Sequence, residues 1–403
     1  MKIILVVGTR PNFMKVAPIL KAIEYHNEKG RRPKIEPLLV HTGQHYDHAM
    51  SQSFFEDLGM PRPDINLSVG SGSHAEQTGK VMMAFEPVLQ QRRPDLVLVV
   101  GDVNSTLACT IAAKKLNIAV AHVEAGLRSG DTTMPEEINR KVTDCIADYL
   151  FTSEPSANEN LAAEGIHAGR IYFVGNVMID TLFDHRERAA ASTILEELGL
   201  REAQRIKPYG VATLHRPSNV DSPVIFREIC EALATLSKDL PLVFPCHPRT
   251  REKVRAFGFR HLGDELKGEW NGIMLTPPLG YLDFLQLTAN SKIILTDSGG
   301  IQEEATIMGV PCLTLRENTE RPITVVQGTN RIVGTDKIRI LQGFDLAMEE
   351  PKGRLRGPDK WDGQAAERIV EILAKIGRMR STGFREEITV PTTPGRGIVV
   401  ARS

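Results

Sequence analysis

The sequence lacks a membrane span. No stretch of its 403 residues approaches the roughly 20 consecutive apolar residues that a bilayer-crossing helix needs. The apolar opening, residues 1–7, runs straight into Gly8-Thr9-Arg10-Pro11, without the longer apolar region and small-residue cleavage site of a secretory signal. It reads as a first buried strand of a cytoplasmic protein. Charge of one sign is also missing. Lys and Arg number 49 against 50 Asp and Glu, for a net charge of −1. No field across the whole molecule would draw nucleic acid or a membrane surface, so an anionic ligand must be held by local cations and helix ends. Cysteine is scarce: five, an odd number, with no C-x-x-C pair. That excludes a disulfide framework and suggests buried free thiols in a reducing compartment. There is no short-period repeat and no Walker A motif.

What is present is alternation. Apolar runs at 2–7, 35–40, 96–100, 119–123 and 171–174 are separated by amphipathic stretches at 14–26, 75–91, 105–116 and 136–147. Runs of Val, Ile and Leu that hardly alternate are buried on both faces, as in a parallel sheet. The pattern restarts after about residue 180, with strands expected at 209–213, 242–245, 272–275, 292–296 and 311–315 and helices at 226–237, 281–289 and 301–308. The charged segment 184–205 should hold a helix near the junction, and 363–378 a last amphipathic one. The expected fold class is α/β, two doubly wound Rossmann-like domains facing a cleft. The expected division is 1–180 for the N-terminal domain, 181–378 for the C-terminal domain and 379–403 for an irregular tail.

In such a fold the residues just after each strand carry function. After the first strand, Arg10 and Lys15 can bind phosphate or steady a carboxylate; the plain alternative is a turn with two solvated cations. After the second, residues 41–48 hold three histidines at a spacing that matches no standard zinc site. Gln44 and His45 suit sugar hydroxyls better. Gly70-Ser71-Gly72-Ser73-His74-Ala75 fits the dinucleotide fingerprint loosely, but it does not follow the opening strand, and a flexible loop over the cleft is the preferred reading. Asp102 sits at a strand tip. Glu124 ends another beside a glycine, where a buried carboxylate must either pair with an arginine or be tuned for proton transfer. Arg128 and Asp131 precede the acid-rich helix start Pro135-Glu136-Glu137, of which Glu136 is expected to face the cleft and Glu137 solvent.

In the second half, His215 and His247 each follow a strand and each precede a nearby arginine. His215 can serve as general acid/base or anion contact, whereas a satisfied loop histidine fits His247 better. The richest segment is 293–305. A strand runs into Ser298-Gly299-Gly300 and directly into a helix, where small residues let a phosphate approach the free N–H groups. One turn on, Glu304 can accept two ribose hydroxyls. Arg316, Thr319, Glu320 and Arg321 follow the next strand and can add charge to this nucleotide-diphosphate site.

These motifs occur together in a known family. Gly8-Thr9-Arg10-Pro11, Thr42-Gly43-Gln44-His45, Gly101-Asp102, residues 122–128, Pro135-Glu136-Glu137, His215-Arg216, residues 296–305 and Thr319-Glu320-Arg321-Pro322 make residues 1–375 resemble the non-hydrolysing UDP-N-acetylglucosamine 2-epimerases. The resemblance implies a fold like that of the GT-B glycosyltransferases, a homodimer, and a reaction with no NAD and no metal. It places the family's catalytic acids on Asp102, Glu124 and Glu136, its catalytic histidine on His215 and a further active-site residue on Arg10. Uridine diphosphate would lie against Ser298, Gly299, Gly300, Glu304 and Arg321. Arg10, Lys15, Gln44, His45, Arg128 and His247 complete the expected substrate contacts. The implied chemistry expels UDP from C1 as C2 loses its proton, then reverses this on the other face. A hydrolysing outcome, a related diacetamido sugar and a non-catalytic UDP-sugar sensor are the competing readings. Segments 69–78 and 213–221 look like one branch of the family, and the tail after Arg378 has no counterpart in it.

Overall fold

The structure, a computed structural model, describes residues 1–43, 57–246, 248–256, 272–349 and 357–382. Its frame is two parallel sheets. The first contains β1 (Lys2–Val7), β2 (Glu36–His41), β3 (Ile65–Asn66), β4 (Leu96–Val100), β5 (Ala119–Val123), β6 (Tyr149–Thr152) and β7 (Ile171–Phe173), in the order β3-β2-β1-β4-β5-β6-β7. A small antiparallel pair, β8 (Arg201–Glu202) and β9 (Arg205–Ile206), follows. The second sheet contains β10 (Gly210–Thr213), β11 (Leu242–Pro245), β12 (Ile273–Thr276), β13 (Ile294–Thr296), β14 (Cys312–Thr314) and β15 (Asn330–Ile332), in the order β12-β11-β10-β13-β14-β15. Both sheets are therefore doubly wound, with GT-B-like architecture. The crevice where strand order reverses lies beyond β1 and β4 in one and beyond β10 and β13 in the other.

The helices of nine residues or more are α1 (Arg10–Glu28), α2 (His74–Arg92), α3 (Asn104–Lys115), α4 (Pro135–Ile146), α5 (Pro155–Ala163), α6 (Val177–Ala190), α7 (Pro223–Leu236), α8 (Pro248–Ala256), α9 (Tyr281–Ala289), α10 (Gly299–Met308), α11 (Lys337–Glu349) and α12 (Ala365–Thr382). β1 explains the layering by itself. Its side chains alternate across the sheet, so Ile3, Leu5 and Val7 meet Val16 and Ile19 of α1, while Ile4 and Val6 meet Phe85 of α2 and Ala108 of α3. Each such burial contributes about 1.5–3 kcal/mol for a large apolar side chain. β4 and β5 are buried throughout.

Two helices tie the sheets together. α6 packs on α1 of the first layer and on α9 and α10 of the second. Asp180 on α6 accepts the backbone N–H groups of Ala365 (3.2 Å) and Ala366 (2.6 Å), fixing the start of α12. α12 then crosses back to the first sheet and buries Ile369, Leu373 and Ile376 in its core.

All five cysteines are free. Four are buried as expected, but Cys145 is exposed, because α4 turns that position toward solvent. β6, β15 and α11 were not anticipated. The strands are only four and three residues long, and β15 reads Asn-Arg-Ile, so pairing rather than composition makes it a strand.

Candidate active site

The turn after β1 is built by Asn12. Its Oδ1 accepts the N–H groups of Gly8 (3.1 Å) and Thr9 (3.0 Å), and its Nδ2 donates to the Val100 carbonyl (3.1 Å). That fixes the first turns of α1 and points Lys15 inward. Lys15 is buried and its Nζ pairs with Glu124 Oε2, so it steadies a carboxylate and is no solvated cation. Gly101 makes room for the pair. Its φ is +65°, and a Cβ there would stand 2.9 Å from Lys15 Nζ and 3.3 Å from Glu124 Oε2.

Glu124 itself has φ +74°, in the left-handed region where a non-glycine residue costs on the order of 1–3 kcal/mol. The turn holds because the N–H groups of Glu124 (2.9 Å) and Ala125 (3.0 Å) both donate to the Phe151 carbonyl. The second carboxylate oxygen of Glu124 meets Arg321 Nη2, which arrives from the other sheet. Burial alone would push this carboxyl up; Lys15 and Arg321 outweigh it and hold it below its ordinary value, hence ionised. The arginine partner that the strand end demanded is thus real, and it lies 197 residues away in sequence.

Asp102, at the tip of β4, is held by the buried guanidinium of Arg140, and its backbone carbonyl accepts Asn139 Nδ2 at 2.8 Å. The expectation for the two glutamates of α4 needs correction. Glu137 does not face solvent: it is 1 % exposed, accepts the N–H groups of Ser129 (3.0 Å) and Gly130 (3.2 Å), and pairs with Arg140 Nη2 at 2.6 Å. The helix phase that turns Arg140 inward brings Glu137 with it, three residues earlier. Glu136 is half-buried one position before. Arg128 is not brought to the cleft wall. Its guanidinium lies 2.8 Å from Asp144 and 2.6 Å from Glu164, and Asp144 also receives His122 Nδ1 (2.6 Å) and the Gly126 N–H (3.0 Å). The segment 70–75, expected as a flexible loop, is tied down. Ser73 Oγ caps α2 through the Glu76 N–H, and His74 contacts Asn104 at 3.3 Å.

Across the cleft, His215 follows β10 and Asp297 follows β13. The buried Asp297 carboxylate accepts the N–H groups of His215 and Arg216 and lies 2.8 Å from His215 Nδ1. Because a carboxylate only accepts, Nδ1 carries a proton and Nε2 is left for the cleft, where the side chain is 59 % exposed. α10 then starts at Gly299, directly after Ser298. A Cβ on Gly299 would stand 2.6 Å from Glu320 Oε1. Glu320 is buried between Arg316 (2.9 Å) and Arg216 (3.4 Å). Burial would raise it, but the arginines, Arg321 foremost, hold it far below the carboxylate range.

Glu304 behaves differently. It is buried, and among the described residues only the Tyr281 hydroxyl donates to it, at 3.1 Å; burial pushes it up to about 7. Its neighbour Glu303 is also pushed up to about 7 by burial, despite lying 2.5 Å from Arg321 Nε.

A cavity of about 420 Å³ opens between these elements. Its wall includes Arg10, Lys15, His215, Ser298, Gly300, Glu304 and Arg321 from the sequence-derived set, together with Tyr281 and Glu303. Arg10 reaches over it from the first sheet, donating to the Leu279 carbonyl at 3.1 Å. Glu124 sits behind Lys15 and Arg321; Asp102, Glu136 and Gly299 also stand off the wall. Gln44, His45 and His247 lie outside the described residues. Among the described residues, no group of three His, Cys, Asp or Glu side chains could hold a metal ion. Sequence reasoning missed Asp297 and Glu303. Asp297 was findable, as an acid at the same strand tip as Ser298. Glu303 was not, because one of two adjacent glutamates had to be chosen without the helix phase.

Chemically, the cleft combines a helix start suited to a diphosphate, a buried carboxyl beneath it and cation-held carboxylates opposite. Comparison with known proteins agrees. Residues 27–374 match the family described as UDP-N-acetylglucosamine 2-epimerase. The chain is 42% identical over 375 residues to the UDP-N-acetylglucosamine 2-epimerase of Methanocaldococcus jannaschii, spanning 93% of this chain and 99% of that one. It is 40% identical over 382 residues to the UDP-2,3-diacetamido-2,3-dideoxy-D-glucuronate 2-epimerase of Pseudomonas aeruginosa, covering 93% and 100%. The crystal structure of the Methanocaldococcus jannaschii UDP-GlcNAc 2-epimerase in complex with UDP-GlcNAc and UDP superposes with a TM-score of 0.84, at 40% identity and 93% and 100% coverage.

Proposed function

Since the chain belongs to the UDP-N-acetylglucosamine 2-epimerase family, we propose that it interconverts UDP-N-acetylglucosamine and UDP-N-acetylmannosamine, without hydrolysing them, by elimination and re-addition of UDP. The observation that carries this reading is the Arg321 bridge. One guanidinium on the cavity wall contacts Glu124 of the first sheet and Glu303 of the second, joining the strand-tip acids to the helix start that suits a diphosphate.

The chemistry needs this pairing. The C2 proton of the sugar has no carbonyl beside it, so direct removal would be very slow. Expelling UDP from C1 as C2 is deprotonated avoids a carbanion and leaves a glycal-like intermediate beside UDP. A proton delivered to the other face and return of UDP complete the inversion. In this reading Asp102, Glu124 and Glu136 supply the carboxyl groups and His215, oriented by Asp297, exchanges a proton or stabilises the leaving group. Ser298, Gly299, Gly300 and Arg321 hold the diphosphate and Glu304 the ribose. Arg10 and Lys15 serve the sugar side with Gln44, His45 and His247, while Arg128 acts through the loop it holds. The first domain, 1–180, would carry the acids and the second, 181–378, the nucleotide. The elimination route forms no oxidised intermediate and so calls for no nicotinamide, and the family resemblance implies no metal. We take the working form to be a cytoplasmic homodimer, in keeping with five free thiols.

The test is an NMR time course with UDP-N-acetylglucosamine in D2O. UDP-N-acetylmannosamine with deuterium at C2 is the expected product. Free N-acetylmannosamine and UDP would move the protein to the hydrolysing class. The 40% identity to the diacetamido-glucuronate epimerase supports one second reading, and faster turnover of that sugar nucleotide would establish it. Binding of UDP without turnover of either would leave a sensor.

A further inference from the structure

Along the cavity wall and just behind it lies a row of charges of alternating sign. Lys15 of α1 pairs with Glu124 after β5, Glu124 with Arg321 after β14, and Arg321 with Glu303 of α10. A fifth group, Glu154 at the start of α5, is fully buried beside Arg321 and Glu124. Three buried carboxylates against two cations leave an uncompensated negative charge, which is costly unless one carboxyl takes a proton.

The hydrogen bonds identify which one. Glu124 has a cation on each oxygen. Glu154 is also pushed up by burial, and its Oε2 has no hydrogen-bond partner among the described residues, but it accepts the Ser156 hydroxyl and the Ile323 backbone N–H, both of which favour its charged form. Glu303 has Arg321 Nε at 2.5 Å from one oxygen as an ion pair, and neither of its oxygens has a hydrogen-bond partner among the described residues. Glu304, the next residue on the same helix, adds a further carboxyl nearby.

We propose that Glu303 is a positioning residue for this reaction: it shares Arg321 with Glu124, so that its ionisation, with the proton released to water in the cavity that it lines, sets how strongly the guanidinium holds Glu124. This rests on the epimerase reading and deepens it. While Glu303 is protonated, Arg321 belongs to Glu124 and keeps it a weak base. When Glu303 ionises, it draws on the same guanidinium, and Glu124 becomes the stronger base that the C2 proton requires. When Glu124 then takes that proton, Glu303 keeps its negative charge and the row stays balanced. Burial raising Glu303 to about 7, while Glu124 is held low, agrees with that division.

The experiment compares the whole protein with Glu303→Gln, which keeps the shape and loses the titration. Two profiles are recorded: kcat for UDP-N-acetylglucosamine against pH, and the urea unfolding midpoint against pH. In the parent, kcat should rise through an ionisation near pH 7; Glu303→Gln should show no inflection there, and above pH 7 its kcat should be lower by about tenfold, the equivalent of one pKa unit on Glu124. The second profile does not depend on turnover. A carboxyl raised from 4.5 to about 7 in the folded state contributes stability below pH 4.5 that is lost as pH rises to about 7. The parent's midpoint should therefore fall relative to that of Glu303→Gln across that window and run parallel above it. Glu303→Asp, which retains an ionisable group, should restore both features in part. Parallel unfolding profiles throughout, or an unchanged kcat inflection in Glu303→Gln, would overturn the proposal. No turnover in the parent, with the unfolding difference intact, would sink the epimerase reading while supporting the proton on Glu303.

Discussion

The two sheets are wound in the same order, yet the strand-tip carboxylates of the first and the carboxyls of helix α10 in the second are held in different ways. On the first, the cleft carboxylates are tied to cations: Asp102 to Arg140, and Glu124 to Lys15 and Arg321. On the second, the carboxyls of α10 have thinner company. Glu304 has a tyrosine hydroxyl and Glu303 one shared guanidinium. Burial pushes every one of the buried glutamates up, and only the neighbours decide the outcome, below the ordinary value for Glu124 and about 7 for Glu303 and Glu304. The two walls of the cleft therefore hold an ionised carboxylate on one side and proton-holding carboxyls on the other. Charges that set the first sheet's chemistry come partly from the second, so the site exists only with the cleft assembled.

Breaking the contrast at its centre should have the largest effect. Glu124→Gln and Asp102→Asn are each expected to lower turnover by about 10²–10⁴-fold, measured as UDP-N-acetylmannosamine formed. Glu124→Gln should also destabilise by roughly 3–5 kcal/mol, because Lys15 and Arg321 lose their common partner. Near-parent turnover in either variant would remove that carboxylate from the mechanism. Next comes Asp297→Asn. The amide can present its own N–H to His215 Nδ1 and so favour the wrong tautomer, with turnover falling on the order of a hundredfold while UDP affinity, read by calorimetry, stays near the parent's. Equal losses in both would mean that Asp297 shapes the pocket instead.

Gly101→Ala should be milder. It forces a Cβ against the Lys15–Glu124 pair at a positive φ, costing about 1–3 kcal/mol and on the order of tenfold in turnover. A melting temperature equal to the parent's would show that the pair can shift aside. Arg128→Ala should touch the site least. It leaves Asp144 and Glu164 with one partner fewer, so the unfolding midpoint should drop while UDP affinity changes by less than about twofold. A large loss of UDP affinity would place Arg128 in the substrate site after all.

Much of this was legible in the residue order. Val- and Leu-rich runs such as Leu96–Val100 become parallel strands because nothing polar interrupts them. The small residues at 298–300 mark the start of α10, and a Cβ on Gly299 would meet Glu320. Glu124 at a strand end had either to pair with an arginine or to be tuned for proton transfer, and the structure shows the arginine. Other features had no local signal. The inward turn of Glu137 followed from Arg140 being buried, and Arg140 is buried because Asp102, 38 residues away, needs it.

By itself, then, the order of residues determined two doubly wound sheets and the placing of acids and small residues at their strand ends, since period, apolar runs and turn chemistry are local properties. Only the tertiary structure decided which cation each acid meets, and therefore which acid holds a proton. Charge state depends on distance and burial, and the decisive contact, Arg321 with Glu124, spans 197 residues of chain.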